Sequence, residues 1–370
     1  MRLRSRLWAC AALWLCGLSL AQAMSVLFIN PGRTDEVYWR DVAQTLQMAA
    51  DSLGITLEIV WAERDHTRPP ALLADVLARP DATRPDYLLL TNDYGGAPAL
   101  FEQIAAAERP IPTFLTLSAL HGAARDQVGA PRSRYPFWLG SLEPRAYDAG
   151  YLTAQALIAQ ARQRDLPRGP DGRWHLLAIA GDRSTPTSMA RTAGMQKAVA
   201  EATDVVLDQI VHADWQRDKA TQQATWLFAR HPHARLVWAG SDPMAFGAMQ
   251  AWRQRGGTPG HDAVFSAINT SPEATTALHQ GELAALAGGH FLGGAWALVM
   301  LYDYHHGKDF SNEGLELEKP MFTLLSAADT LQFDQRFRQS PAALDFRPFS
   351  KVFNPGVTRY DFGFASLLYP

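Results

Sequence analysis

Apolar residues along this chain recur in two rhythms that take turns. Short unbroken apolar runs of strand type alternate with stretches in which apolar positions return every three or four residues. The run at 25–30 (SVLFIN) is followed by a Pro31-Gly32 turn. Val37, Val42, Leu46, Ala49 and Leu53 then mark one helical face that Gly54 closes. The same alternation predicts strands at 56–61, 87–91 and 112–117 and helices at 70–78 and 97–107. Residues 122–135 are polar and rich in Gly and Arg, which reads as a loop; 137–140 is a short extended piece and 144–162 a helix. The rhythm then restarts. Strands are expected at 175–180, 205–210, 236–238, 264–268 and 283–287, and helices at 188–202, 215–229, 272–280 and 291–305. Between the third and fourth of these strands, Asp242 reads as an N-cap, Pro243 as the first helical residue and Gly256 as the stop. Strand–helix alternation of this kind predicts parallel sheets covered by helices on both faces. Two successive runs of similar size predict an α/β chain of two lobes. Residues 321–370 are less regular.

Composition narrows the classes. The 370 residues are 47% hydrophobic and 19% charged, with a net charge of −3, which supports a globular core and argues against a nucleic-acid surface. MRLRSR, the apolar stretch LWACAALWLCGLSL and Ala21-Gln22-Ala23 read as an export signal over residues 1–23. Both cysteines, Cys10 and Cys16, fall inside it. The mature chain therefore carries no disulfide or thiolate chemistry. The chain has no GxSxG, GxxxxGK, GxGxxG or HExxH motif. The pairs His231/His233 and His305/His306 read as turn and helix-end residues rather than metal ligands, so neither a cofactor nor a metal is expected. The glycine-rich stretch at 288–294 could cradle an anion, but its place between a strand and a helix favours a flexible crossover.

Several residues fall where strands meet helices, the edge at which open α/β sheets bind ligands. Tyr38 and Trp39 follow the first strand, and Trp215 follows Asp214. Each aromatic suits either a sugar's C–H face or the core. Arg191 offers a rigid fork of donors or is a surface helix charge. Asn269 can donate and accept. Asp242 is a helix cap or a ligand contact.

These residues together resemble the type I periplasmic binding proteins, the ribose-binding and autoinducer-2-binding class, over residues 26–331. Glu36, Tyr38 and Trp39 match the polar residue and aromatic pair after the first strand. Arg191, Gly194 and Met195 match an R-x-x-G-[FM] helix start, and Ala213, Asp214 and Trp215 an A-D-[FW] element. Residues 241–248 match N-D-x-M-A-x-G-A with Ser241 in place of Asn. Asn269 replaces an Asp, Leu117 and Ser118 stand at an Asp-Arg pair, and a Gln position falls at Gly289 or His290. The resemblance implies two Rossmann-like lobes with parallel sheets, 24–140 plus 290–319 and 141–289 plus 320–370, the second carrying a C-terminal extension. Three crossings would join them, near Gly140, Gly289 and Lys319. It implies a monomeric, non-enzymatic periplasmic protein that closes on a sugar-like ligand. The ligand-binding set would be Glu36, Tyr38, Trp39, Ser118, Arg191, Trp215, Ser241, Asn269 and His290. The membrane partner would be an ABC-importer permease or, alternatively, a histidine kinase or chemoreceptor. An exported hydrolase lacks a nucleophile signature here. A sugar-responsive repressor would need a DNA-binding segment where the export signal stands.

Overall fold

The computed structural model describes residues 23–339 and 344–369. The expected export signal lies outside them apart from Ala23. The strands are β1 (Ser25–Asn30), β2 (Thr56–Trp61), β3 (Tyr87–Leu90), β4 (Thr113–Thr116), β5 (Trp138–Pro144), β6 (Trp174–Ala180), β7 (Val205–His212), β8 (Leu236–Ala239), β9 (Val264–Ile268), β10 (Ala285–Gly288), β11 (Glu316–Lys319) and β12 (Thr323–Leu324). They form two six-stranded sheets, ordered β11-β5-β4-β3-β1-β2 and β12-β10-β9-β8-β6-β7. Every pairing is parallel except that of β12 with β10. Strands β3, β4, β8, β9 and β10 are buried along their whole length. Helices on both faces of a parallel sheet leave no solvent side, hence unbroken apolar runs instead of alternation.

The first sheet carries helices α1 (Val37–Leu53), α2 (Arg68–Leu77), α3 (Ala97–Ala105) and α4 (Gly122–Val128). The second carries α5 (Ala146–Gln163), α6 (Pro186–Glu201), α7 (Arg217–Arg230), α8 (Asp242–Gln254) and α9 (Pro272–His279). The chain then returns to the first lobe in α10 (Gly293–His305), which packs on α1, β4 and β5. Glycines set the closest helix contact of the second lobe. A Cβ on Gly150 would lie 1.8 Å from the Arg191 carbonyl oxygen, and one on Gly194 2.1 Å from that of Tyr147. α5 and α6 therefore meet backbone to backbone, and this fixes where α6 presents Arg191.

Three sequence expectations change. The loop expected at 122–135 opens with α4. The extended piece at 137–140 is the start of a seven-residue buried strand, β5, which ends at Pro144. Gly140 lies inside that strand, so the first passage between sheets follows Pro144. Polar residues masked it. Glu143 is buried because it accepts the Ala119 N–H at 2.9 Å and pairs with His121 at 2.6 Å. The other passages run through the turn at 289–292 and through 320–322.

The largest change concerns the tail, expected wholly in the second lobe. Its first part, α11 (Ala327–Phe333) and the helical turns at 334–339, does pack on α9. Residues 344–362 instead dock on α1 and α10 of the first lobe. Phe346, Phe349 and Phe362 meet the Trp296 ring edge-on at 5.4, 4.9 and 6.5 Å. The Phe346 N–H donates to Ser52 Oγ at 3.2 Å. Asp303 of α10, fully buried, accepts from Ser350 Oγ, from the Lys351 N–H at 2.7 Å and from Tyr360 Oη at 3.0 Å. The chain then turns back through Phe364, which joins Phe291, Phe333 and Phe337, and ends in α12 (Ala365–Leu368). A Cβ on Gly289 would lie 2.8 Å from Phe364 Cβ and from the Met321 oxygen. The tail thus clamps both later passages. Tail residues are aromatic but broken by Pro341, Pro348 and Pro355, so no period betrays what they cover.

Trp296→Ala should lower unfolding stability by about 3–5 kcal/mol, the usual cost of emptying a buried aromatic site. Phe353→Ala, at a site 46% exposed, should change it by about 0.5 kcal/mol or less. Urea denaturation of both variants reads the contrast.

Candidate functional site

The carboxyl edges of the two sheets face one another across the passages, and the polar groups there form a connected set. Arg191 is at its centre. It extends from α6, is 4% exposed, and its Nη1 donates to the Gly240 carbonyl at 2.7 Å. Its Nη2 lies 3.2 Å from His290 Nε2. A guanidinium can only donate, so His290 Nε2 accepts and the neutral ring carries its proton on Nδ1. Burial, with Arg191 beside it, holds the imidazole well below its ordinary pKa and keeps it neutral. The His290 ring is sandwiched, with Tyr38 stacked on one side at 4.9 Å and Phe322 on the other at 4.4 Å. One ring comes from the first lobe and the others from two separate passages. Burial lowers the Arg191 pKa to about 10.

Trp215 closes the second-lobe wall. Asp214 and Trp215 both hold left-handed backbone, φ 50° and 63°, costing on the order of 1–3 kcal/mol each. The indole covers Gly181, where a Cβ would lie 2.3 Å from the ring, and its Nε1 donates to Asp182 Oδ2 at 2.7 Å. Arg191 Cζ lies 5.7 Å from the Trp215 ring centre. Burial works against the Asp182 charge, but hydrogen bonds from Thr185 and Ser184 outweigh it and bring its pKa to about 2.

The first lobe supplies a second charged group. Arg64 donates to Glu36 at 2.5 and 2.9 Å and to Asp93 at 3.3 Å. Burial raises the Asp93 pKa to about 6; Arg64 opposes this, while Glu36 and Asp182 add to it. Asp93 and Asp182 belong to different lobes, so their coupling runs across the boundary. Asp41 of α1 behaves likewise. Burial raises it to about 7, the tail's Arg338 offsets part of that, and Asp242 of the other lobe adds to it.

A family model described as a periplasmic binding protein domain matches residues 26–309. The chain belongs to the periplasmic binding protein family. A periplasmic sugar-binding protein of Pseudomonas fluorescens is 34% identical, with a TM-score of 0.82 over 94% of this chain and 100% of that one. The D-allose-binding periplasmic protein of Escherichia coli K12 is 29% identical over 107 residues, 29% of this chain and 34% of that protein, so the match spans about a third of its length. An ABC transporter periplasmic solute-binding protein of Actinobacillus succinogenes, solved with D-allose bound, shares the fold at 18% identity and a TM-score of 0.67, covering 84% of this chain and 99% of that one. Members of the family are binding proteins, and so is this chain, rather than an enzyme.

Within this periplasmic binding protein, Tyr38, Arg191, Trp215 and His290 come together as one cluster. Ser241 follows Gly240, the acceptor of Arg191, and is 3% exposed with Oγ unpartnered among the described residues. Ser241, not Asp242, is the N-cap position of α8, and its side chain makes no capping bond. Asp242 is the first helical residue, and its Oδ1 accepts from Asn269 Nδ2 at 2.9 Å. Asn269 is thus half committed to a protein partner. Glu36 is held in the Arg64 pair. Trp39 packs inward: its ring occupies the space beside Gly32, 2.1 Å from where a Cβ would stand, so it belongs to the core while its Nε1 has no partner among the described residues. Ser118 is tied by its carbonyl to the Asn92 N–H at 3.0 Å, and among the described residues no hydrogen bond joins it to the Arg191 cluster. Sequence reasoning missed Arg64, Asp93 and Asp182 as site residues. Arg64 and Tyr94 sit in left-handed loop positions, φ 59° and 54°, outside any periodic element. A polar residue just past each strand end was the available signal.

Asp41 gives a pH prediction. Its folded pKa stands above the unfolded value of 3.8, so its contribution to stability is full below about pH 4 and is lost as pH rises towards 7. Asp41→Asn should gain stability relative to the native protein between pH 4.5 and 8. Urea midpoints of both proteins at the two pH values check it; an unchanged difference contradicts it.

Proposed function

We propose that this protein is exported to the periplasm, captures a sugar or sugar-like hydroxylated ligand between its two lobes, and presents it as a closed monomer to the permease of an ABC importer. The observation that carries this reading is the Arg191 cluster. A buried guanidinium of the second lobe, a neutral imidazole on a passage and a tyrosine of the first lobe converge at the boundary, with Trp215 as an apolar wall. Arg191 Nε, His290 Nδ1 and Ser241 Oγ are buried without partners among the described residues. Buried polar groups are ordinarily hydrogen-bonded, so these valences suit ligand oxygens, and an aromatic wall suits the C–H face of a sugar ring. The sugar-binding relatives support the same class. Closure is a population shift that ligand contacts in the closed state would drive.

Thermal unfolding against a panel of sugars and polyols tests the reading. A ligand at 100 times its dissociation constant should add about 2.7 kcal/mol. Trp215→Ala and Arg191→Ala should abolish that gain while the unliganded variants keep native circular dichroism. Unchanged affinity in both variants would place the ligand elsewhere.

A further inference from the structure

Around Arg191 the site presents more donors than acceptors. Arg191 is 4% exposed and His290 3%; Nε of the first and Nδ1 of the second both carry hydrogens and have no partner among the described residues. Ser241 Oγ, able to donate or accept and also without a partner among the described residues, follows Gly240, the acceptor of Arg191 Nη1. The nearby backbone carbonyl and carboxylate are already engaged. The Gly240 carbonyl receives Arg191 Nη1 at 2.7 Å. Asp242 takes the Asn269 amide at 2.9 Å and is also bonded to Ser271. Of the ionisable groups around it, only Tyr38, whose phenol burial keeps neutral, and Asp242 bear noticeably on the guanidinium, and among the described residues no carboxylate forms an ion pair with it.

The other polar group has the opposite character. Glu36 and Asp93 share Arg64, and Asp93 makes one bond to it, at 3.3 Å. Asp182 is filled by Ser184, Thr185 and the Trp215 indole. Asp93 thus keeps capacity to accept a hydroxyl.

A neutral sugar hydroxyl that accepts from Arg191 or His290 must also place its own proton, and among the described residues only Ser241 Oγ and Asn269 Oδ1 stand open there to take one. A carboxylate only accepts and matches the guanidinium edge with two parallel bonds. We propose that the ligand is a sugar acid, a polyhydroxylated molecule whose carboxylate is received by Arg191 Nε, His290 Nδ1 and Ser241 Oγ and whose hydroxyls donate towards Asp93. This rests on the reading of the cleft as a sugar site.

Isothermal titration of the native protein at pH 7.5 tests it with three matched pairs: D-galacturonate and D-galactose, D-gluconate and D-glucose, D-ribonate and D-ribose. At least one acid should bind about 10–100-fold more tightly than its neutral partner, the range of a hydrogen bond to a charged group. His290→Leu, which keeps apolar bulk but removes the donor, should weaken that acid about tenfold or more. Neutral sugars binding as tightly as their acids, or more tightly, overturn the sugar-acid assignment and leave the sugar reading standing. Silence from all six ligands overturns both. The paired titration needs no variant, so misfolding of His290→Leu does not decide the outcome.

Discussion

One buried cation organises the lobe boundary. Taking an isolated charge out of water costs several kcal/mol even after the protein relaxes, and among the described residues Arg191 has no carboxylate in ion-pair contact to offset it. Two fixed groups make its position tenable. The Gly240 carbonyl holds one nitrogen, and a histidine kept neutral holds another. That histidine is in turn pinned between Tyr38 and Phe322. The guanidinium reaches this point because α5 and α6 touch at Gly150 and Gly194. Packing of two helices, placement of a charge and the protonation state of a ring on the hinge are therefore one constraint seen at three scales.

Much of the fold was legible in the chain. Fully buried strands write themselves as unbroken apolar runs, and helices on a sheet as periodic stripes, so the alternation named the architecture. β5 was cut short because Ser141 and Glu143 interrupt its apolar run, although inside the protein Glu143 is satisfied by Ala119 and His121. At the site, Arg191, Trp215, Ser241 and His290 were placed by the motif resemblance, whose order along the chain mirrors the order of strand ends. Arg64 and Asp93 were not legible, because a loop residue meets its partners through backbone geometry that no period records. Asn269 was legible as an edge residue, but its bond to Asp242 depends on the spacing of two neighbouring strands. Asp303 was a missed clue to the tail. A carboxylate in an otherwise apolar helix needs donors, and Ser350, Lys351 and Tyr360 are those donors.

The tail changes what the hinge is made of. Beyond the three passages expected, the chain runs from the second lobe to the first and back again, and Phe364 rests on Gly289 and Met321 where two of those passages lie side by side. Any bending between the lobes would have to slide or tilt these contacts as well as rotate a few backbone angles.

The same tail bears on where the protein ends as a folding unit. The stretch matched by the family model stops at residue 309, yet α10, just before it, has Trp296 covered by Phe346, Phe349 and Phe362 and Asp303 satisfied by residues 350–360. Cut at the family boundary, the helix would offer water an aromatic patch with an unpaired buried carboxylate at its centre. Such a surface favours self-association. Keeping that patch from water therefore falls to residues beyond the stretch that the family model matches.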